Sequence, residues 1–183
     1  MKIYITRHGQ NEDNRDGVLN GHRDLPLTST GLEQAIMLSA KIINEGITFN
    51  AVYTSPLIRA VETAKIITKN LGLVDPIVDN DLIERDFGVK AGAKISTLKE
   101  IYGKDVAVSE IIDTFLSPHA ESFEGMMRRA RQILDFMEVN HRSTDSILLV
   151  CHGYIGKILY AEYYGLQWRD VLNFEFGNCE IIL

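Results

Sequence analysis

Six consecutive residues, Ser146 to Cys151 in the run SILLVC, carry no charge and almost no polarity. A strand so uniformly apolar has to be covered on both faces, which is the signature of a central strand in a parallel sheet. Parallel neighbours need long crossovers, and helices supply them. The rest of the chain fits that demand. Lys2 to Thr6 reads as a strand, and LTSTGLEQAIMLSAKIINEG then opens a helix with Thr28 or Thr30 as N-cap and stops it at Gly46. Leu32, Ala35, Ile36, Ser39-Ala40 and Ile43 keep its helical period. Ala51 to Ser55 is a short strand feeding a second helix, with Ser55 as N-cap, Pro56 in the first helical position and Gly72 after the last turn. Leu57, Val61, Ala64, Ile67 and Leu71 form the expected buried stripe of that helix. Ile77-Val78 is a minor strand. From Glu84 to about Glu121 the pattern is weak, with KISTLKEIYG and VSEIIDTFL as short helices. EGMMRRARQILDFMEVN and IGKILYAEYYG read as helices, and NFEFGNCEIIL alternates like a closing strand. The sum is an α/β fold, a three-layer α/β/α sandwich with a mostly parallel central sheet.

Composition limits what this sheet can carry. At 183 residues, 45% of them hydrophobic, residues 1–183 suit one globular domain with a full core. A formal net charge of −6 argues against nucleic acid or an anionic membrane as partner, because both require a basic face. Cys151 and Cys179 are too few for a disulfide framework and sit in no CxxC pair, which fits a reducing compartment. The amino terminus has no long apolar region, and no run is long enough to span a bilayer. A soluble, cytoplasmic protein is expected. Its oligomeric state is not legible.

In open α/β sheets, ligands bind beyond the carboxyl ends of the strands. Three predicted strands end there on polar residues: Thr6-Arg7-His8-Gly9, Ser55-Pro56-Leu57-Ile58-Arg59 and Cys151-His152-Gly153. Two histidines and two arginines at one rim of an acidic protein point to an anion, and the glycines would let backbone N–H groups approach it. Arg59 adds a second sign. It falls in the first turn of its helix, where the macrodipole disfavours a cation by a few tenths to roughly 1 kcal/mol, and a bound phosphate would reverse that. The alternative is a surface pair with Glu62, three residues on, worth about 0.5 kcal/mol or less.

These segments resemble the signature of the histidine phosphatase superfamily, also called the phosphoglycerate mutase-like family. RHGQNEDN is similar to its RHG, polar stretch and Asn, here Asn14. GHRDLPLTSTGLEQA resembles its G-x-x-D-x-P-L-T-x-x-G-x-x-Q-A segment, TSPLIRAVETA its S-x-L-x-R-A-x-x-T-A helix start, LIERDFG its L-x-E-x-x-x-G, and VCHGY its second HG. The resemblance implies a phosphoglycerate mutase-like fold and names roles. His8 would accept a phosphoryl group as nucleophile. Arg7, Arg59 and His152 would hold its equatorial oxygens, and Glu84 would protonate the leaving oxygen and later deprotonate the incoming hydroxyl. Arg7, Asn14, Gly21, Arg59, His152 and Gly153 are the positions expected to contact substrate. Surrounding cations should lower the pKa of His8 and keep it a neutral nucleophile. Phosphoryl transfer then needs mainly positioning and fixed positive charge, with no metal or other cofactor.

Other residues read as structural. His22, His119 and His141 fall in this class, though His22 lies close to the pocket mouth. Cys151 reads as a small inert thiol at a strand end. Glu121, Ser122 and Arg129 are similar to the family's G-E-S…R segment, with Ala120 in place of the glycine, and are expected to be structural or to line the pocket. The resemblance implies hydrolysis of a small phosphorylated metabolite through a phosphohistidine. Phosphoglycerate mutase is the alternative, since ERDFG is similar to the mutases' E-R-x-Y-G. A non-catalytic phospho-ligand binder would be expected to lack His8 or Arg59, and a histidine-ligated metal hydrolase lacks the necessary Asp/His spacing. The substrate is not identified, because the segment at about 85–121 that should face it matches no subfamily.

Overall fold

A computed structural model describes residues 1–102 and 119–183. Its centre is a five-stranded sheet of β1 (Lys2–Arg7), β2 (Ala51–Thr54), β3 (Ile77–Val78), β4 (Ser146–Cys151) and β5 (Ile181–Ile182), in the order β3-β2-β4-β1-β5. All pairs are parallel except β5, which runs antiparallel to β1. The apolar run of β4 lies between β2 and β1, and Ile147 to Cys151 are fully buried.

Helices cover both faces. On one side α2 (Ser29–Asn44) and α3 (Ile58–Leu71) pack Leu38, Ile42, Ala60, Ala64 and Ile67 on Val52, Leu148 and Val150. On the other, α5 (Phe123–Asn140) and α6 (Gly153–Tyr164) pack Met126, Ile133, Met137, Ile155 and Ile158 on Ile3, Ile5, Ile147 and Leu149. Alternate β4 residues thus serve opposite layers, each large side chain contributing about 1.5–3 kcal/mol. Short helices α1 (Glu12–Arg15), α4 (Ile95–Tyr102) and α7 (Trp168–Val171) sit on connections. Among the described residues no helix is long and apolar enough to cross a membrane.

Several expectations change in detail. Thr28 caps α2 by accepting the Gly31 N–H. The stripe that α2 buries is Gly31, Ala35, Leu38, Ser39 and Ile42, so Leu32, Ile36 and Ile43 face solvent. Helix α3 starts later than predicted: Leu57 is its N-cap residue, and the Ile58 N–H is capped from a distant loop by Asp24 Oδ1 at 2.7 Å. Its buried face is Arg59, Ala60, Thr63, Ala64, Ile67 and Thr68, rotated from the predicted stripe because Arg59 itself points inward. Gly72 ends the helix in a left-handed conformation, as expected. KISTLKEIYG contains α4, whereas VSEIIDTFL lies outside the described residues.

The closing strand is shorter than NFEFGNCEIIL predicts. Only Ile181–Ile182 pairs with β1, because the chain turns at Gly177 and at Cys179, whose φ is +54°. The backbone groups freed by that turn bond to the end of β1 instead.

Candidate active site

The sheet register builds the site. Arg7 pairs with Cys151 at the carboxyl ends of β1 and β4, so His8 and His152 leave adjacent strands at the same level. Their rings stand 5.0 Å apart, centre to centre, and both are buried. Ser55 leaves β2 beside them, with its N–H on Val150 O. Arg59 enters from the first turn of α3 and has no exposed surface. It makes no surface pair with Glu62, whose Oε2 instead accepts the Leu27 N–H.

His8 is held in one tautomer. Its Nδ1 lies 2.6 Å from the carbonyl of Gly9, which can only accept, so Nδ1 carries the proton. Nε2 is then a lone pair, and it accepts from Arg59 Nε at 3.1 Å. The pKa of His8 is lowered well below 6.5, first by burial and then by Arg59 and Arg7. The lowering expected from Arg59 and Arg7 is present, behind the larger effect of desolvation. His152 is lowered in the same way, by burial and then by Arg59.

The two arginines are anchored by carbonyls. Arg59 Nη1 and Nη2 donate to Arg23 O at 2.6 Å and Gly21 O at 2.9 Å. Arg7 Nη1 donates to Phe176 O at 3.0 Å, while its buried Nε has no partner among the described residues. Burial lowers both guanidinium pKa values, that of Arg59 to about 10, which keeps Arg59 a cation at neutral pH.

Glu84 faces this group from the loop after Leu82. Its Oε1 accepts from the N–H groups of Arg85 and Ile155, and its Oε2 from that of Tyr154, so the carboxylate sits on the amino end of α6. A Cβ built on Gly153 would lie 3.8 Å from both Arg7 Nε and Glu84 Oε2, so both groups border Gly153.

Arg7, His8, Asn14, Glu84 and Gly153 line a cleft of about 590 Å³. Arg59, His152 and Gly21, all expected to contact substrate, are not among its lining residues; Arg59 and His152 lie against His8, which is. Gly21 holds Arg59 through its carbonyl and is not part of the lining, a change from its expected place against substrate. Gly9 also departs from expectation: its N–H is committed to Thr63 Oγ1. Its lack of a side chain serves packing, since a Cβ there would lie 2.4 Å from Gly31 O.

Glu121, Ser122 and Arg129 do not line the cleft. Ser122 caps α5, and Arg129 ties Glu121 to the carbonyls of Asp81 and Ile83, bracing the loop that carries Glu84. His22 Nε2 bonds Glu84 O, His141 bonds the Tyr53 hydroxyl, and His119 is exposed. Cys151 is buried with its thiol pKa raised by desolvation.

Sequence reasoning missed the carboxyl-terminal loop. Asn178 Nδ2 donates to His8 O at 2.8 Å and to Asn14 Oδ1 at 3.2 Å, and Glu175, Phe176 and Gly177 join the cleft wall with Tyr154 and Lys157. The turn residues in FGNC were the available signal.

A neutral imidazole with its lone pair presented, two fixed guanidinium groups and a nearby carboxylate can bind an oxyanion and exchange a group with it. The fold and this pocket define an α/β protein with a histidine-centred anion site at the carboxyl edge of a parallel sheet. Residues 3–183 match the model of the histidine phosphatase superfamily (branch 1), and the chain belongs to that superfamily.

Its relatives include mutases and phosphatases. Over 106 residues the chain is 36% identical to a 2,3-bisphosphoglycerate-dependent phosphoglycerate mutase of Rhizobium etli, covering 57% of this chain and 51% of the mutase. The match therefore spans about half of that relative's length. A Hydrogenobacter thermophilus protein, whose name proposes a phosphoserine phosphatase, is 29% identical over 182 residues, or 98% of this chain and 87% of its own. Mycobacterial glucosyl-3-phosphoglycerate phosphatase complexed with VO3 shares the fold, with a TM-score of 0.86 at 22% identity over 98% of this chain and 90% of that one. A His-to-Ala mutant of phosphoserine phosphatase from Entamoeba histolytica, in complex with phosphoserine, has a TM-score of 0.79 at 25% identity over 98% and 87% of the two chains.

Proposed function

We propose that this chain is a phosphomonoester hydrolase acting on a small phosphorylated metabolite through a phosphohistidine at His8, with residues 1–183 working as one domain. The observation that carries the reading is the state of the His8 ring. Nδ1–H is spent on Gly9 O, Nε2 keeps its lone pair, and burial beside two cations holds the ring neutral.

The reaction follows from these contacts. Nε2 attacks phosphorus while the bond to the leaving oxygen breaks. Arg59 Nε–H transfers its hydrogen bond from Nε2 to a phosphoryl oxygen, joined by the Arg7 Nε–H, which has no partner among the described residues. Glu84 takes a proton from the arriving phosphomonoester monoanion and passes it to the leaving oxygen. Water then attacks the phosphohistidine, Glu84 takes up a proton from it, and inorganic phosphate leaves with the Nε2 lone pair restored.

A mutase differs only in the second acceptor, a substrate hydroxyl in place of water. The 36% identity to a phosphoglycerate mutase supports that second reading. A single experiment separates the readings: acid-free quenching during turnover of a phosphate-labelled substrate, with phosphate release and phosphoglycerate isomerisation measured in parallel. The expected result is a base-stable, acid-labile phosphoenzyme that His8→Ala abolishes, with phosphate released and no isomerisation. Isomerisation without release would establish the mutase, and phosphate binding with neither label nor turnover would establish a binding protein.

A further inference from the structure

Ser55 ends β2 with its hydroxyl fully buried, and the hydroxyl lies 2.7 Å from His152 Nε2. The same oxygen accepts the Leu57 N–H at 3.3 Å. A serine hydroxyl has one hydrogen, and an amide N–H can only donate, so the Leu57 contact leaves that hydrogen to be placed elsewhere. Two arrangements exist. If Ser55 Oγ–H donates to Nε2, the hydroxyl and Nε2 are both satisfied, and a neutral ring must carry its proton on Nδ1. If Nε2–H donates to Oγ, the serine hydrogen has no acceptor among the described residues, and Nδ1 is a bare lone pair. His152 Nδ1 is itself buried with no partner among those residues. The first arrangement leaves one buried group unsatisfied and the second leaves two, and each such group is costly.

We propose that Ser55 is a positioning residue that holds His152 as the neutral Nδ1–H tautomer, so that this donor is available to an oxygen of the phosphoryl group beside His8. The inference rests on the phosphoryl-transfer reading of the site. It extends that reading, because it makes His152 a neutral hydrogen-bond donor where a second histidine near an anion would ordinarily be taken for a cation. The lowered pKa of His152 agrees, since burial next to Arg59 disfavours the imidazolium. It also gives the two histidines different anchors for one tautomer. Gly9 O sets His8 by accepting from Nδ1, and Ser55 sets His152 by donating to Nε2. His8 then presents a lone pair and His152 a proton, which are the two things a phosphoryl group in transfer requires.

The test is a two-bond nitrogen–proton correlation spectrum of the full chain labelled with 15N-histidine, recorded near neutral pH with and without vanadate. His152 should show a protonated Nδ1 and an unprotonated Nε2, and its Nδ1 proton should shift when vanadate binds. An Nε2–H tautomer in the wild-type chain overturns the proposal, as does an Nδ1 proton that vanadate leaves unmoved. Ser55→Ala supplies the kinetic arm. The proposal expects a fall in kcat of roughly 10- to 100-fold, by analogy with the loss of a partner that orients a metal-ligating histidine, with a small change in KM and a mixed or reversed His152 tautomer. Ser55→Thr, which keeps the hydroxyl, should restore the Nδ1–H signal and most of the rate. Unchanged kcat in a folded Ser55→Ala chain overturns the positioning role. If Ser55→Ala does not fold, the wild-type spectrum and its vanadate response still decide. Failure of the phosphatase reading shows differently: no phosphomonoester is turned over and no phosphoenzyme forms, whatever the tautomer of His152.

Discussion

Arg59 Nε donates a hydrogen bond to His8 Nε2 over 3.1 Å, at a point where the guanidinium is fully enclosed. A buried cation against a neutral imidazole is costly without further partners, and the carbonyls of Arg23 and Gly21 supply them. The contact keeps a proton off Nε2, and under the proposed phosphohistidine reading it would hand a donor to a phosphoryl oxygen arriving there.

Arg59→Lys keeps the charge and loses the fork, since an ammonium cannot reach Nε2 and two carbonyls in fixed directions. We expect kcat/KM to fall by about 100-fold or more. Stability should fall by about 1–3 kcal/mol for the carbonyls left unpaired. Steady-state kinetics and denaturant melts on one preparation measure both, and wild-type values in either would contradict the arrangement.

The pH dependence has a definite sign. His8 and His152 titrate well below 6.5 when folded and near 6.5 when unfolded. Below about 6.5 the unfolded chain therefore binds more protons than the folded one, so stability is complete above that pH and is lost as pH falls toward the folded values. The thermal midpoint should drop between pH 7.5 and pH 5, and less steeply in His152→Gln. The acid limb of kcat/KM due to His8 should lie below pH 6.5; a limb at or above it would be inconsistent with the buried, neutral ring.

Glu84→Gln tests the proton donor through the leaving group. General acid catalysis matters most for a poor leaving group, so the loss in kcat/KM should be roughly 100-fold or more with an alkyl phosphate and much smaller with a nitrophenyl phosphate. Equal losses on the two substrates would return Glu84 to a positioning role.

Arg129→Met probes the brace behind Glu84. Arg129 holds the carbonyls of Asp81 and Ile83 and both oxygens of Glu121, so its removal frees the loop on which Glu84 stands. A stability loss of about 1–3 kcal/mol is expected, from calorimetry or denaturant melts. The rate should suffer more with the alkyl phosphate than with the nitrophenyl ester, echoing Glu84→Gln at lower amplitude.

Gly9→Ala should overpack the crossing of its loop on the first turn of α2. A Cβ at that position lies 2.4 Å from Gly31 O, and the backbone must shift to admit it. The expected cost is about 1–3 kcal/mol with a large fall in activity, because His8 moves with its neighbour. A chain with normal melting and normal turnover would show that the crossing is looser than its geometry.

The sheet, its parallel centre and the rim of Arg7, His8, Arg59 and His152 were legible in the chain itself. Each rests on a local signal: an unbroken apolar run demands burial on both faces, and strand ends and helix starts are marked by Gly, Pro and polar residues within a few positions. Tertiary structure alone decided which face of α2 is buried, because Leu32, Ile36 and Ile43 share the period of Ala35, Leu38 and Ile42 and only contact with β2 and β4 chooses between them. It also decided that Arg59 points inward, that Gly21 serves Arg59 through its carbonyl, and that Glu175 to Asn178, ahead of β5, stay out of the sheet and close the site through Asn178. Those outcomes depend on partners 36 to 170 residues away in the chain. A local pattern can state that a hydrogen bond must be made, but the distant group that makes it is known only once the chain has folded.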